Sequence, residues 1–368
     1  MKKIQQFEPN LGEEEKKELL SVIDSGWYTE SKKTREFENI FANFVGRKYA
    51  VATTSGTVAL CIAIQGLGLK KEDEVIIPDL TFVASPNSVI LAGSKVSLVD
   101  IQKDNLCLDI EKTKQNVSDK TKAIMPVDFN GRTPNLISLK EFAEKSDLFI
   151  IEDSCHGIGS FYGGKHTGCY SDVGIFSFST PKIITTGQGG MLVTDNKELY
   201  EKFRMIKDFG RDVDKKHQME NAFDHVEMGY NFKFTEFQAA IGIAQMKKLP
   251  KRIEHNKKMF QLYRENLASI PEIEFVDLDL KMSVPWFVDI LLPDKKIRQG
   301  LVEHLKQSGI GTRKFYPPIH KLSPYQNTDG DFKNTDEASE RGLWLPSSSF
   351  LIDEEILRVC DAIKNFLN

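Results

Sequence analysis

Short apolar runs recur along the first two hundred residues, and they constrain the fold more than any other feature of the sequence. Most are continuous rather than alternating, and several are rich in valine and isoleucine, which is typical of strands buried on both faces of a mostly parallel sheet. Helical stretches such as Leu136–Lys145 separate several of them. The pattern predicts an α/β fold with a helix-covered sheet, whose strands lie at Lys48–Thr53, Glu74–Pro78, Lys95–Ile101, Lys122–Phe129, Leu148–Asp153, Gly174–Ser179 and Gly190–Thr194.

The domain organisation follows from a change of character near residue 250. A chain of 368 residues suggests roughly two domains. We predict a large domain over 1–250, opened by an amphipathic helical segment, and a smaller C-terminal α+β domain over 251–368. A strand near Trp286–Leu292 and three helices belong to the smaller domain, the helices at Lys251–Leu267, Lys296–Ser308 and Asp353–Phe366.

Composition excludes several classes of protein. The 49 basic and 53 acidic residues give a net charge of −4, with no basic patch to indicate a nucleic-acid partner. No apolar run approaches the length of a membrane span, and no signal-peptide pattern follows the two lysines at the start. The five cysteines are scattered without a CxxC pair, which argues against a disulfide framework or a structural zinc site. We therefore expect a cytoplasmic enzyme without a membrane partner.

The turn Thr53–Thr57 is the first candidate site. A glycine, Gly56, lies between hydroxyl residues where a strand passes into an apolar helix. Free backbone N–H groups, hydroxyl donors and the helix dipole together suit a phosphate group. The alternative is an ordinary helix cap, which the same residue types favour for local reasons.

The second candidate is the end of the strand Leu148–Asp153. Ligands of open α/β sheets bind beyond the carboxyl ends of strands, so Asp153 could pair with a cationic ring nitrogen or a metal. His156 could donate a hydrogen bond into the same site. The alternatives are a turn-capping aspartate and a surface histidine. A metal site is less well supported, because His166 adds a histidine without a paired spacing.

The third candidate is Lys182, in the segment Gly174–Gly190. This lysine follows a buried strand and a proline, among Phe176, Phe178 and two isoleucines. A lysine that loses hydration in such a turn has a lowered pKa and can act as a nucleophile toward an aldehyde. The alternative is an exposed loop lysine.

The order of these features matches the needs of pyridoxal phosphate. The phosphate needs a donor cradle, the ring an aromatic platform such as Phe82, the pyridinium nitrogen an anion, and the aldehyde a lysine. The sequence supplies all four groups. Their combination indicates a pyridoxal-phosphate site more strongly than any one motif does.

At this point the chain resembles the nucleotide-sugar aminotransferases of the DegT/StrS type, within the fold type I pyridoxal-phosphate enzymes. The resemblance runs through nearly the whole chain. Its motifs lie at 26–60, 74–89, 150–168, 172–196, 228–242, 311–320 and 343–349.

The resemblance implies a role for each matching residue. Lys182 would carry pyridoxal 5′-phosphate covalently and move the proton during turnover, when the cofactor passes through its amine form. Asp153 would hold the pyridine nitrogen protonated. The other matches would bind the cofactor: Gly56, Thr57 and Ser177 at the phosphate, Phe82 over the ring, His156 near the phenolic oxygen, and Asn231 at the phosphate of the neighbouring subunit of a homodimer.

The implied reaction is transfer of an amino group from L-glutamate to a keto sugar. The resemblance favours a nucleotide-linked 4-keto-6-deoxy sugar, in surface polysaccharide (lipopolysaccharide) or glycoconjugate biosynthesis. The choice of carbon 4 depends on the turn Thr185–Gly190, which is similar to that of 4-aminating relatives. Tyr316 and His320 are candidate substrate contacts, and the alternative for both is a packed proline-rich loop.

Three positions depart from the family pattern, and three other functions remain open. Gln188 replaces a glutamate and Lys233 an arginine, both expected beside the cofactor or the dimer interface. Asp128 stands where a histidine is frequent and is expected to alter the substrate pocket. The open functions are a pyridoxal-phosphate sugar dehydratase, against which Lys182 counts, an aminotransferase of non-nucleotide keto or aldehyde sugars or an inosose, and a non-catalytic cofactor-binding regulator.

Overall fold

Helices and strands alternate along the part of the chain that the computed structural model describes, residues 2–212, 224–326 and 330–367. The strands are β1 Tyr49–Thr53, β2 Glu74–Pro78, β3 Lys95–Val99, β4 Thr121–Ile124, β5 Phe149–Asp153, β6 Phe161–Tyr162, β7 Lys165–His166, β8 Val173–Ser177, β9 Gly190–Thr194, β10 Asp289–Leu291, β11 Arg313–Lys314 and β12 Gly342–Trp344. The α-helices are α1 Glu13–Ser25, α2 Lys32–Val45, α3 Gly56–Gly66, α4 Ala84–Leu91, α5 Ile110–Gln115, α6 Leu136–Lys145, α7 Lys197–Lys207, α8 Glu236–Leu267, α9 Lys295–Gln307, α10 Lys333–Arg341 and α11 Asp353–Leu367.

The main sheet has seven strands in the order β1-β9-β8-β5-β4-β2-β3. The pairs from β8 to β3 are parallel, and β9 runs antiparallel to both β8 and β1. Every predicted strand of this sheet is present, and nearly all of its apolar side chains are buried. The predicted fold class, a mostly parallel sheet covered by helices, is confirmed.

Three strands of this sheet end at the same edge. Since β9 is antiparallel to both neighbours, β1 and β8 point the same way, and β5 is parallel to β8. Gly190 at the start of β9 pairs with both Thr53 and Ser177, the last residues of β1 and β8. Asp153 ends β5 next to them. The three sequence segments singled out for chemistry therefore meet at one sheet edge.

A smaller antiparallel sheet, β10-β12-β11, lies in the C-terminal part of the chain. It is tied to the main sheet region by a buried bidentate ion pair, in which Arg132 donates to both carboxylate oxygens of Asp289 at 2.7 and 2.9 Å. Such fork-to-carboxylate pairs fix orientation as well as contributing energy. The small sheet is thereby held at a defined position relative to the site edge.

No helix or strand begins or ends at residue 250, which lies inside helix α8. Helix α8 begins at a capping box formed by Thr235 and Gln238 and continues through Pro250. At the other end of the chain, Ile4 pairs with Ile310 and packs in the apolar core of the C-terminal part. The division at 250/251 therefore stays a prediction. Among the residues described, no helix combines the length and apolar character needed to cross a bilayer.

Candidate active site

A cavity of about 310 Å³ opens at the shared edge of β1, β5 and β8. Eight of the residues proposed from the sequence line it: Gly56, Thr57, Phe82, Asp153, His156, Ser177, Lys182 and Tyr316. Their roles stay predictions, but the fold brings them to one place.

One end of the cavity is rich in N–H and hydroxyl donors. Ser55 caps α3, its hydroxyl accepting from the Val58 amide at 3.2 Å, so Gly56 and Thr57 form the first turn of that helix. A side chain at position 56 would lie 3.1 Å from the Ser177 Cβ, which explains the glycine. Because a helix N-terminus carries partial positive charge, this end suits a phosphate.

The carboxylate of Asp153 lies on the cavity wall and is fixed by two neighbours. Ser85 donates its hydroxyl to Oδ2 at 2.8 Å, and the Cys155 amide donates to Oδ1 at 3.2 Å. The side chain is buried. It presents a fixed anion to whatever occupies the cavity.

Lys182 reaches the same space from the turn after β8. Its Nζ lies 4.2 Å from the centre of the Trp286 ring, and the Trp286 Nε1 donates to the Pro181 carbonyl at 2.7 Å. The indole thus supports the amine and holds its turn in place. Burial lowers the pKa of Lys182 to about 8, although Asp153 and Cys155 work in the opposite direction. An appreciable share of neutral amine is therefore available near neutral pH.

His156 is a neutral member of the cavity wall. Its ring stacks on Trp286 with centroids 3.9 Å apart, and Nδ1 accepts from the Asn130 amide at 3.4 Å. Burial, and then the charge of Lys182, hold its pKa well below the usual value. A neutral imidazole can donate to a bound oxygen through Nε2 without adding charge.

Two aromatic rings, those of Phe82 and Tyr316, also line the cavity. Phe82 is 52% exposed, and its ring centre lies 5.3 Å from that of Tyr316. An apolar ring left uncovered against a cavity is suited to stack on a planar ligand. The structure thus places Tyr316 in the wall of the cavity.

Asn231 and His320 are not among the residues that line the cavity. Asn231 is exposed and pairs with Asp208 through the backbone. His320 is occupied by Asp79, which accepts from its backbone amide at 2.8 Å and lies 2.7 Å from its Nδ1. The ring of His320 also stacks on Phe332. This arrangement fits the alternative of a packed loop for His320.

The three departures from the family pattern lie in different surroundings. Gln188 lines the cavity, whereas Lys233 pairs with Asp208 at 3.2 Å. Asp128 is fully buried and is not among the residues that line the cavity. Its expected effect on the substrate pocket is therefore not supported by a direct contact and stays a prediction. Ser154 donates to its Oδ2 at 2.6 Å, and burial, then Glu152, raise its pKa well above the usual value.

Sequence reasoning missed several residues of the wall. Trp286 and Arg313 come from the C-terminal part of the chain, and Ser85 acts on Asp153 from behind. Trp286 lay in a predicted strand and Arg313 in a quoted motif, but neither carried a local chemical signature. Cys155, next to Asp153, also faces the cavity.

The donor set fits pyridoxal phosphate. The cradle at Ser55–Thr57, with the hydroxyls of Ser177 and Ser179, suits the phosphate, and Asp153 suits a protonated ring nitrogen. Lys182 supplies the amine with a lowered pKa. Among the residues described, no group of three or more histidine, cysteine or acidic side chains is arranged to hold a metal ion.

Comparison with known proteins agrees with this geometry. The GDP-perosamine synthase of Vibrio cholerae is 33% identical over 368 residues, covering 98% of each chain. The structure of Helicobacter pylori PseC, an aminotransferase involved in pseudoaminic acid biosynthesis, superposes with a TM-score of 0.93 at 26% identity, covering 100% of this chain and 99% of that one. The Escherichia coli GDP-4-keto-6-deoxy-D-mannose-3-dehydratase with bound hydrated pyridoxal phosphate gives a TM-score of 0.92 at 26% identity, covering 99% and 100%.

The family assignment depends on a match over almost the full length. The sequence pattern of the DegT/DnrJ/EryC1/StrS aminotransferase family matches residues 9–364, and this range includes every residue that lines the cavity. The predicted family is confirmed. With its cofactor-binding geometry and this match, the chain belongs to the DegT/DnrJ/EryC1/StrS aminotransferase family, whose cofactor is pyridoxal phosphate.

Proposed function

We propose that the protein transfers the amino group of L-glutamate to carbon 4 of a nucleotide-linked 4-keto-6-deoxy sugar, in polysaccharide or glycoconjugate biosynthesis. In the net reaction, glutamate becomes 2-oxoglutarate and the sugar ketone becomes an amine, so the amino group and the carbonyl oxygen change places. One observation carries the proposal: the amine of Lys182, with its pKa lowered to about 8, faces the same cavity as Asp153 and the phosphate cradle.

The roles of the residues follow from their positions. The bound cofactor supplies a carbonyl that carries the amino group and a ring that withdraws electrons. Asp153 keeps the ring nitrogen protonated, because an adjacent anion favours the charged form. Lys182 holds the cofactor and then moves a proton between the reacting carbons. His156 and Phe82 orient the ring and exclude water from one side.

The substrate class is supported by the names of relatives. One is named for GDP-perosamine, and one solved neighbour for GDP-4-keto-6-deoxy-D-mannose. The turn Thr185–Gly190 supports amination at carbon 4, with Gln188 of that turn in the cavity wall. A non-nucleotide keto or aldehyde sugar, or an inosose, is the second candidate substrate.

Dehydration is the competing reaction on the same scaffold, and one neighbour is named as a dehydratase. Lys182 supports transamination, because the dehydratase subgroup that the family resemblance implies uses a histidine at this position. A non-catalytic cofactor-binding regulator would also capture the cofactor, but it need not convert the cofactor to its amine form when L-glutamate is added.

We also propose a homodimer in which Asn231 reaches the phosphate site of the neighbouring subunit. Asn231 lies outside the cavity of its own chain, and the segment before it exposes apolar side chains, with Val226 62% and Met228 76% exposed. Exposed apolar patches of this kind mark protein interfaces.

The five cysteines are free, in keeping with the reducing cytoplasm proposed for this enzyme.

Mixing two impaired variants tests the shared site. Lys182→Ala and Asn231→Ala should each be inactive or slow, but heterodimers should regain one intact site of two. Sedimentation as a monomer, or no complementation after verified subunit exchange, would contradict this arrangement.

The reaction is tested with a panel of keto-sugar nucleotides and L-glutamate, with NMR of the products. We expect an amine at carbon 4 and stoichiometric 2-oxoglutarate. Amine at carbon 3, loss of a hydroxyl without amination, or turnover of non-nucleotide sugars alone would sink the assignment.

A further inference from the structure

Arg313 brings a positive charge to the wall of the cavity. It lies at the start of β11 and lines the cavity together with Lys182, Trp286 and Tyr316. Within the described residues its side chain forms no ion pair, and its guanidinium carbon lies 5.9 Å from the centre of the Phe287 ring. Of the described side chains that line the cavity, Asp153 alone is acidic.

The charges that pyridoxal phosphate brings are already assigned to other groups. Its phosphate suits the donor cradle at the start of α3, and its ring nitrogen takes Asp153. The cradle belongs to the main sheet, whereas Arg313 belongs to the small sheet. The guanidinium of Arg313 is therefore available to a second anion, which a substrate would bring.

We propose that Arg313 binds a carboxylate of the amino donor. An arginine presents a planar fork of donors that matches a carboxylate in two parallel hydrogen bonds. The inference rests on the proposed function, since it names the part of the site that recognises glutamate.

Two substrates of this reaction carry anions, and chemistry separates them. The donor's α-carboxylate is joined to the carbon that bears the amino group, so it must lie beside Lys182. The diphosphate of a 4-keto sugar nucleotide is on carbon 1, across the sugar ring from the reacting carbon. Arg313 lines the same cavity as Lys182 and as the Trp286 ring, whose centre lies 4.2 Å from the Lys182 Nζ. This position beside the amine favours the donor side.

The test compares two neighbouring cations. Adjacent residues of a strand point to opposite faces, and Lys314 lines a separate groove with Arg298 and Pro317 rather than the cavity. Arg313→Gln removes the charge from the cavity, and Lys314→Gln removes an equal charge one residue away. Both positions are exposed, so both variants should fold, as thermal melting will verify. Arg313→Lys keeps the charge but loses the fork.

The deciding measurement is the binding of glutarate, an unreactive dicarboxylate, to the holoprotein by calorimetry. We expect Arg313→Gln to raise its dissociation constant by about ten- to a hundredfold, Arg313→Lys to give an intermediate value, and Lys314→Gln to match the wild type. Unchanged glutarate binding in Arg313→Gln, or an equal loss in Lys314→Gln, overturns the proposal.

Kinetics of the separate half-reactions identify the source of the anion. With L-glutamate, Arg313→Gln should need a higher donor concentration for saturation, while the sugar nucleotide reacts with the amine-loaded protein as in the wild type. If Arg313→Gln bound glutarate normally and lost activity only in the half-reaction with the sugar nucleotide, Arg313 would be assigned to the diphosphate instead. Failure of the wild type to accept an amino group from L-glutamate would refute the proposed donor, but the glutarate result would still decide the role of Arg313.

Discussion

Lys182 lies beside an open cavity, whereas Lys207 lies in a closed cluster of charges below α2 and β1. The Nζ of Lys207 is 3.0 Å from Glu30, 3.3 Å from Glu38 and 2.9 Å from the carbonyl of Ala52. Within the described ranges, no carboxylate forms an ion pair with Lys182, whose Nζ instead lies over the Trp286 ring. Burial lowers the pKa of both amines, of Lys182 to about 8 and of Lys207 to about 7, although the carboxylate of Glu38 opposes the shift at Lys207.

The difference shows that neither burial nor a lowered pKa is enough to make a lysine reactive. Three acceptors lie within 3.3 Å of the Lys207 Nζ, so that group is held in place within the structure. The amine of Lys182 faces the cavity and an aromatic ring, so losing its proton breaks no ion pair with the residues that the structure describes. A reactive lysine is thus distinguished by missing acceptors, provided that a cavity admits its partner.

Replacing Lys182 should produce the largest effect on activity. Lys182→Met removes the group that holds the cofactor and moves the proton, so we expect amino transfer to fall by at least about a thousandfold. Because the amine forms no ion pair in the described part of the chain, the variant should melt within a few degrees of the wild type. Borohydride reduction of the holoprotein, followed by peptide mapping, should label Lys182. A label on another lysine, such as Lys207, would overturn the comparison.

Replacing Lys207 should instead reduce stability. Lys207→Met leaves Glu30 and Glu38 buried without that ammonium, and breaking a buried pair on one side costs about 3–5 kcal/mol. We expect about 3 kcal/mol, because Arg35 still pairs with both carboxylates. Urea unfolding of the apoprotein measures the loss. If Lys207→Met had normal stability but no activity, the assignment of a structural role to Lys207 would be wrong.

The pH dependence of cofactor capture should report the amine of Lys182. Capture requires the neutral amine, so its rate rises with pH as Lys182 loses its proton. With the pKa lowered to about 8 from 10.5, half of the maximal rate should be reached near pH 8. Stopped-flow absorbance after adding pyridoxal phosphate to the apoprotein measures the midpoint, and Lys182→Met is the control. A midpoint near 10 would mean that this lysine is hydrated like an exposed one.

Much of the fold was predictable, because continuous apolar runs can hardly be placed other than in a buried sheet. The strands Glu74–Pro78 and Gly190–Thr194 and the helix Leu136–Lys145 lie where the sequence predicts them. The position of the site also followed, since the candidate motifs come at the ends of strands that share an edge. The strand predicted at Lys122–Phe129 is shorter, Thr121–Ile124.

The rest of the site depends on contacts between distant segments, which local patterns do not contain. Trp286 reaches Lys182 across more than a hundred residues of chain, and Arg313 enters from a two-residue edge strand. His320 lies in a family motif, but its ring is taken by Asp79. Nothing in the sequence indicated that Asp128 is buried, because an aspartate is usually expected at the surface.

Asp153 extends the comparison to the carboxylates. Glu38 neutralises its lysine directly, whereas Asp153 is held by Ser85 and the Cys155 amide and is free to face a ring nitrogen. Asp153→Asn should still fold and bind cofactor but turn over about a hundredfold more slowly, since the amide cannot keep that nitrogen protonated. Steady-state kinetics with equal cofactor loading measure this. Near-normal turnover would show that Asp153 has only a structural role.

Ser85 should give the smallest effect, because it acts only through Asp153. Its hydroxyl donates to Oδ2 at 2.8 Å and lies 2.9 Å from the hydroxyl of Thr81. Ser85→Ala removes one hydrogen bond to a carboxylate, and the loss of a bond to a charged group corresponds to about a tenfold change. We expect turnover to fall by about that factor, while Ser85→Thr restores most of it. The double variant with Asp153→Asn separates positioning from stability: if Ser85 orients the anion, removing it costs little once the anion is gone. A full tenfold loss in both backgrounds would show that Ser85 supports the cavity wall and not the carboxylate.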